Sequence, residues 1–334
     1  MNALVTGGGG FLGRYIVEQL IASGAAVRVY SRRQFPELEA LGVTSLVGDL
    51  RDAERVAEAC RGVDTVFHTA AVPGICGRWS LYYQTNTVGT RNVIASCVAA
   101  GVSQLVYTSS PSVIYDGRTH EGADESLPYP ARFSAHYPKS KALAEQAVLA
   151  ANGRSGLKTI ALRPHLIWGP RDNHLLPRLV RRAKKGRLRR VGDGTNLVSM
   201  SYVENTAQAH LLAARGLAEG RPCDGKAYFI NEAEPVRLWE WVDQLLGAAG
   251  LPPVKKSVPA PVAWAAGAML EAVAKVTRSR NEPMMTRFLA SQLSSSHWYR
   301  VDAARRDFGY EPLVTADEGL RRTTPDLRRW VSED

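Results

Sequence analysis

Residues 4–20 read LVTGGGGFLGRYIVEQL, and this stretch decides the fold. A short apolar run ends at Thr6, four glycines follow, and from Phe11 onward apolar residues recur at helical spacing. Gly7, Gly10 and Gly13 fit GxxGxxG, while Gly8, Gly10 and Gly13 also fit GxGxxG. Glycine permits φ > 0 and lets backbone N–H groups approach a pyrophosphate, whose charge the positive end of the next helix favours. A strand, a glycine turn and a helix in this order predict a dinucleotide cradle.

Short strand-like runs continue to about residue 165. ALVT (3–6) opens the series, and AVRVY (26–30), SLVG (45–48), TVFH (65–68), LVYTS (105–109) and TIALR (159–163) follow, with helical patterns between them. This rhythm predicts an α/β protein, a doubly wound parallel-sheet Rossmann fold with a smaller, mainly helical substrate lobe. Residues 1–166 are expected to form the NADP-binding domain, and VSMSYVENTAQAHLLAA and KAYFI to rejoin it over 203–230. Residues 167–202 and 231–334 then form the substrate lobe.

The second strand runs into VRVYSRR (27–33). An NAD site usually carries Asp or Glu here to accept from the ribose 2′-OH. This chain offers Ser31, Arg32 and Arg33 instead, and two guanidiniums suit a 2′-phosphate, so NADP(H) is the expected cofactor. Asp49, in VGDLRD past the third strand, is placed for the adenine amino group.

HYPKSK (136–141) carries the chemistry. Tyr137 and Lys141 stand four apart and share a helix face, and Pro138 is tolerated only in a first turn. A phenol titrates at about 10, and a neighbouring ammonium is expected to lower that value into a useful range. Ser110, in LVYTSSPSVIYDG at a strand end, is placed to hold the reacting oxygen; Ser109 and Ser112 are weaker candidates.

In order along the chain, TGGGGFLG, DTVFHTAA, NTVGT, TSSPSVIYDG, YPKSK and RPHLIWGP resemble the extended short-chain dehydrogenase/reductases, and within them the 3β-hydroxysteroid dehydrogenase branch. The resemblance implies Tyr137 as general acid/base, Lys141 as its modulator and Ser110 as the partner of the substrate oxygen. It implies cofactor contacts at Gly7, Gly10, Phe11, Leu12 and Gly13, at Ser31, Arg32 and Arg33, and at Asp49 and Leu50. Further contacts are implied at Thr69, Ala70 and Ala71, at Asn86 beside the nicotinamide, at Thr108, and at Pro164, His165 and Leu166. His165 either touches cofactor or substrate or simply packs there.

Two subgroups match: bacterial 2-alkyl-3-oxoalkanoate reductases of long-chain olefin synthesis, and decarboxylating sterol-4-carboxylate 3-dehydrogenases. Both handle a carboxylate β to a hydroxyl or ketone on a bulky hydrocarbon. Cells keep NADP(H) largely reduced, so Arg32 and Arg33 favour the reductase, acting on a hydrophobic β-keto acid or yielding its β-hydroxy acid. A non-catalytic NADP-binding scaffold is the rival from another class, and retention of Ser110, Tyr137 and Lys141 together argues against it. A sugar-nucleotide epimerase shares these three residues and fits the rest of the chain less well.

The composition is compatible with this. Across 334 residues, 45% hydrophobic and 22% charged residues exclude disorder on a large scale, and a net charge of +10 suits anionic ligands. Cys60, Cys76, Cys97 and Cys223 show no CxxC spacing, so neither zinc nor a disulfide framework is expected, and the cytoplasm is the default. The start NALVTGG has no signal-peptide pattern, and seven histidines without HExxH predict no metal.

The run RLVRRAKKGRLRR (178–190) reads as a solvated helix face with Arg178, Arg182, Lys185 and Arg189 on one stripe, and without interleaved aromatics it predicts no nucleic acid. SVPAPVAWAAGAMLEAVAKV (257–276) is apolar enough to pack in the lobe, line a hydrocarbon cleft or lie on a membrane, with Trp264, Met269 and Leu270 as first contacts. A homodimer, associated with a membrane surface or a pathway enzyme, is the expected assembly.

Overall fold

The computed structural model describes residues 1–74, 77–277 and 283–333, so Cys76 lies outside the described residues. Seven strands form one parallel sheet: β1 (Asn2–Thr6), β2 (Ala26–Ser31), β3 (Thr44–Val47), β4 (Thr65–His68), β5 (Gln104–Thr108), β6 (Lys158–Pro164) and β7 (Lys226–Ile230). Their order is β7-β6-β5-β4-β1-β2-β3, so the chain reverses direction across the sheet between β1 and β4. That switch point opens a crevice at the carboxyl ends of the strands, where the Gly7 turn and the 69–71 segment meet.

Side chains alternate along each strand, so successive residues enter cores on opposite faces. Ala3, Val5, Phe67, Val106 and Ile230 pack with α1 (Phe11–Ala22), whereas Leu4, Val66, Leu105 and Tyr107 pack on the other face with α2 (Gly89–Ala100) and α3 (His136–Leu149). Within α1, Leu12, Ile16, Val17 and Leu20 are buried, the stripe that the helical spacing predicts. Helix α4 (Val203–Ala218) packs on α1 and leads into the edge strand β7.

The third core gathers Trp168, Leu176, Val180, Tyr202, Trp239, Trp241 and Leu327 around the helices Leu238–Ala248 and Ala316–Ser332. Strands at 236–237, 197–198, 297–299 and 120–123 form a small separate sheet, in that order. Sequence patterning does not reveal that sheet, because its strands are two to four residues long and far apart in the chain. The helix Asp302–Phe308 leaves the C-terminal region and returns to the first core, where Ala304, Phe308 and Tyr310 are buried.

The basic run differs from expectation. Its helix spans Leu175–Lys184, and Gly186 then takes φ +60°, so Lys185 and Arg189 leave the stripe that begins at Arg178 and Arg182. Glycine in the left-handed region ends a helix at little cost. Arg182 donates to the Met284 carbonyl and Arg189 to those of Gly186 and Leu188, so these two guanidiniums tie down backbone.

The apolar stretch forms α5 (Ala260–Val276), which buries only Ala263 and Gly267. A Cβ at Gly267 would stand 2.6 Å from the Thr286 carbonyl carbon, so the missing side chain lets the next segment close on α5. Trp264 and Met269 lie on the exposed face of α5. Among the described residues no helix is long and apolar enough to cross a membrane.

Candidate active site

Helix α3 begins at His136, which places Pro138 in its first turn and aims Tyr137 and Lys141 at the carboxyl end of β5. Lys141 is buried, and its Nζ donates to the Thr108 carbonyl at 2.6 Å and stands 4.1 Å from the Tyr107 ring centroid. Ser110 follows β5 in extended conformation (φ −164°) and caps a short turn, its Oγ accepting from the Ser112 N–H at 3.2 Å. The aromatic ring of Tyr82 meets Tyr137 edge-on at 6.3 Å.

The electrostatics differ from the simple expectation. Burial pushes the Tyr137 phenol up to about 12, and the Ser110 hydroxyl opposes that rise. Burial also pushes Lys141 down to about 7, with Glu145 one turn away pulling it back up. Spacing alone predicts a lysine that acidifies its tyrosine; in this pocket desolvation of each group outweighs their mutual effect. Desolvation dominates both shifts, and the lysine is the group brought to neutral pH.

A polar chain holds the floor beneath them. The Thr90 hydroxyl donates to the Asn86 carbonyl at 2.6 Å, so it accepts from His68 Nε2 at 2.9 Å, and His68 Nδ1 accepts from Thr6 Oγ1 at 2.6 Å. The Asn86 side chain accepts from Val72 N–H at 2.7 Å and donates to the Val72 carbonyl and to Ser140 Oγ. Ser140 in turn donates to the Tyr137 carbonyl at 2.8 Å. Asn86 sits in a π-helical turn, Tyr83–Val88, of the kind that often marks functional sites.

Burial of these imidazoles predicts acid sensitivity. His68 is pushed down to about 3 by burial and then by the Lys141 charge, and His210 to about 4 by burial, with the Thr206 carbonyl opposing. In the unfolded chain histidine titrates near 6.5, so below that pH the unfolded state gains protons that the folded state refuses. Stability should be full above pH 6.5 and fall by about 1.4 kcal/mol per pH unit for each such histidine as the pH drops toward 4. Urea midpoints at pH 7 and 5 measure this, and equal midpoints would refute it.

The glycine turn is shaped for a large anion. Gly7 takes φ +74°, and a Cβ there would stand 2.9 Å from the Ala70 Cα; a Cβ at Gly13 would strike the Gly7 carbonyl oxygen. Gly10 is exposed at the N-cap of α1 with no side-chain cap, and the first turn of α1 holds no acidic residue. An exposed helix N-terminus with neither a side-chain cap nor an acidic first turn fits a pyrophosphate.

At the end of β2 the Ser31 hydroxyl is buried and has no partner among the described residues, and Arg32 and Arg33 are exposed beside it. These groups fit a phosphorylated ribose. Asp49 is engaged by Arg51 through paired contacts of 2.9 and 2.7 Å, which hold its carboxyl below the usual range, with Arg32 adding to the effect. Thr69 donates to the Thr6 carbonyl at 2.8 Å, Ala70 and Ala71 line the same crevice, and Leu50 is buried under Gly89.

Pro164, His165 and Leu166 cross the end of β6, where Leu166 adopts φ +46°. A non-glycine residue in the left-handed region stores roughly 1–2 kcal/mol of strain and commonly marks a functional turn. His165 Nε2 lies 2.7 Å from Nδ1 of His297, a residue that no sequence pattern singles out. Glu145 and Arg163 form a buried ion pair behind Lys141, with contacts of 2.6 and 3.0 Å, and they too escape motif reading.

The chain matches the model of the 3-beta hydroxysteroid dehydrogenase/isomerase family over residues 4–260. It is 51% identical over 326 residues to a 2-alkyl-3-oxoalkanoate reductase of Stenotrophomonas maltophilia, covering 96% of this chain and 98% of that one. It is 37% identical over 328 residues to a decarboxylating sterol-4-alpha-carboxylate 3-dehydrogenase of Homo sapiens, covering 97% and 87%. Among solved structures, the Thermus thermophilus UDP-glucose 4-epimerase complex with NAD is similar, with a TM-score of 0.73, 26% identity and coverage of 98% and 99%.

Proposed function

The chain belongs to the 3-beta hydroxysteroid dehydrogenase/isomerase family, and from that membership we propose that it is an NADPH-dependent 2-alkyl-3-oxoalkanoate reductase. It is an oxidoreductase of the CH–OH group with a nicotinamide dinucleotide cofactor. The finer reading gives the 3-hydroxy acid from a long-chain β-keto acid, a step of olefin or hydrocarbon synthesis. The observation that carries it is the 51% identity to a reductase of that name over nearly the whole of both chains.

Bound NADPH supplies the hydride that reaches C3. Ser110 and Tyr137 hold the ketone oxygen, and Tyr137 gives its proton to the alkoxide as it forms. Lys141, fixed by the Thr108 carbonyl, stands behind the phenol as the cation that steadies its charge. Asn86 and Ser140 brace the start of α3 and so keep the phenol at its station. The 37% identity to a sterol-4-carboxylate dehydrogenase supports a second reading, oxidation of a 3-hydroxyl beside a carboxylate that then leaves as carbon dioxide.

A turnover screen of β-keto acids and 4-carboxysterols with both cofactors separates the two, and no turnover of either class would reject both. The 2′-phosphate reading has its own test. Arg32→Ala with Arg33→Ala should raise the KM for NADPH about tenfold or more relative to that for NADH, the scale of one or two charge-assisted hydrogen bonds. An unchanged ratio removes these arginines from cofactor selection.

The reading includes a cytoplasmic homodimer working beside a lipid surface or a partner enzyme. The exposed Val262, Met269, Val273 and Val276 on one side of α5, with Trp264 exposed at another angle, support that association.

A further inference from the structure

His165 lies on the segment that leaves β6 at the carboxyl edge of the sheet, the edge that also carries Ser110. Strands β5 and β6 pair with Thr108 opposite Leu162, and the Ser109 N–H donates to the Leu162 carbonyl at 2.6 Å. Residues 164–166 therefore emerge at the same sheet edge as Ser110. In a 2-alkyl-3-oxo acid one carbon separates the carboxylate from C3, so a carboxylate reader has to lie beside Ser110 and Tyr137.

Hydrogen bonding fixes the protons of the histidine pair. His297 Nε2 lies 2.8 Å from the Gln292 carbonyl oxygen, which can only accept, so this nitrogen carries hydrogen. The other nitrogen of His297, Nδ1, is then bare and accepts from His165 Nε2 at 2.7 Å. His165 is left with a bare Nδ1, and among the described residues no donor reaches it. Its backbone is pinned, its N–H donating to Ser201 Oγ at 2.9 Å.

Both imidazoles are held neutral, mainly by burial, His165 also by His297 and His297 also by His120. The groups packed around them supply no counter-charge. Tyr299 stands 5.9 Å from His165, Tyr115 stands 6.3 Å from His297, and burial keeps both phenols protonated. Asp116 is 3.1 Å from His120 and so is one ring removed, and the nearby Arg163 is taken by Glu145.

We propose that His165 is the residue that selects a carboxylate substrate, taking up one proton at Nδ1 as the carboxylate arrives. This rests on the keto-acid reading given above. One solvent proton adds to Nδ1, no covalent bond breaks, and nothing is oxidised. The imidazolium then bridges the carboxylate and Nδ1 of His297. A bare nitrogen facing a carboxylate would set lone pair against lone pair, so binding requires the proton. The arriving negative charge offsets the burial that kept the ring neutral.

The test is the pH dependence of KM for a 2-alkyl-3-oxo acid and for its methyl ester, between about pH 6.5 and 8.5. For the acid, KM should rise about tenfold per pH unit relative to that for the ester, because one proton is bound with the acid, while the titration of Lys141 near 7 acts on both substrates alike. The ester should lack that extra slope. His165→Gln should lose the slope for the acid. Calorimetry of the wild-type protein with its reduced cofactor and the 3-hydroxy acid, in buffers of different ionisation enthalpy, should count about one proton taken up per site, a result that needs no variant. Turnover of the acid with a flat KM, an equal slope for the ester or for His165→Gln, or no proton uptake would overturn the role of His165. Each of these leaves the reductase reading standing, since that depends on turnover alone.

Discussion

Tyr137→Phe should lower kcat about a thousandfold while leaving the folded protein and its cofactor affinity nearly unchanged. The substitution removes one oxygen. The ring keeps its edge-on contact with Tyr82, and the backbone bond from Ser140 to the carbonyl of residue 137 does not involve the hydroxyl. General acid catalysis is worth roughly 10²–10⁴ in rate, and here the donor is a phenol pushed up to about 12. Such a phenol is fully protonated at neutral pH, so it is loaded for reduction and needs no prior proton uptake. Steady-state kcat and a fluorescence titration of the reduced cofactor measure the two halves of the prediction. Turnover within a few-fold of wild type would remove Tyr137 from the proton transfer.

Arg163→Met should destabilise the protein by about 3–5 kcal/mol, the usual cost of stranding one member of a buried ion pair. Glu145 is fully buried, and besides Arg163 only the Tyr129 hydroxyl, among the described residues, reaches its carboxylate, at 2.7 Å. Losing the guanidinium leaves a negative charge in a dry place without its partner. The consequence reaches the active site, because Glu145 is the group that pulls Lys141 back toward its ordinary value. The double variant with Glu145→Leu should recover much of the stability, since an apolar pair of similar volume avoids the desolvation cost. Urea denaturation of the two variants decides the point, and a loss below about 1 kcal/mol in Arg163→Met would show that the pair is not structurally important.

The central sheet and the glycine turn were readable because their signals are local. A strand, a turn and a helix lie within the first 22 residues, and the pair of Tyr137 and Lys141 needs only one helical turn. The direction of the pKa shifts was not readable. It depends on how much of each group is buried, and spacing carries no information about that. The pairing of His165 with His297 was equally hidden, since they stand 132 positions apart. Strands 120–123 and 297–299 find each other across a still wider gap, although neither has the length to announce itself. At the basic run, a helical stripe was read through Gly186, where the backbone had already turned.

The return of helix Asp302–Phe308 to the first core has a bearing on how the protein is made. Tyr310 donates to the Asn231 carbonyl at 3.1 Å, Tyr228 donates to Asp307 at 2.7 Å, and Phe308 meets the Tyr228 ring edge-on at 5.1 Å. The outermost strand β7 thus acquires this covering only after residues 302–310, more than seventy positions further on, have left the ribosome. Until then its apolar face is open to water and to chaperones. A fragment ending at residue 230, although it contains every strand of the sheet, should be recovered mainly in inclusion bodies.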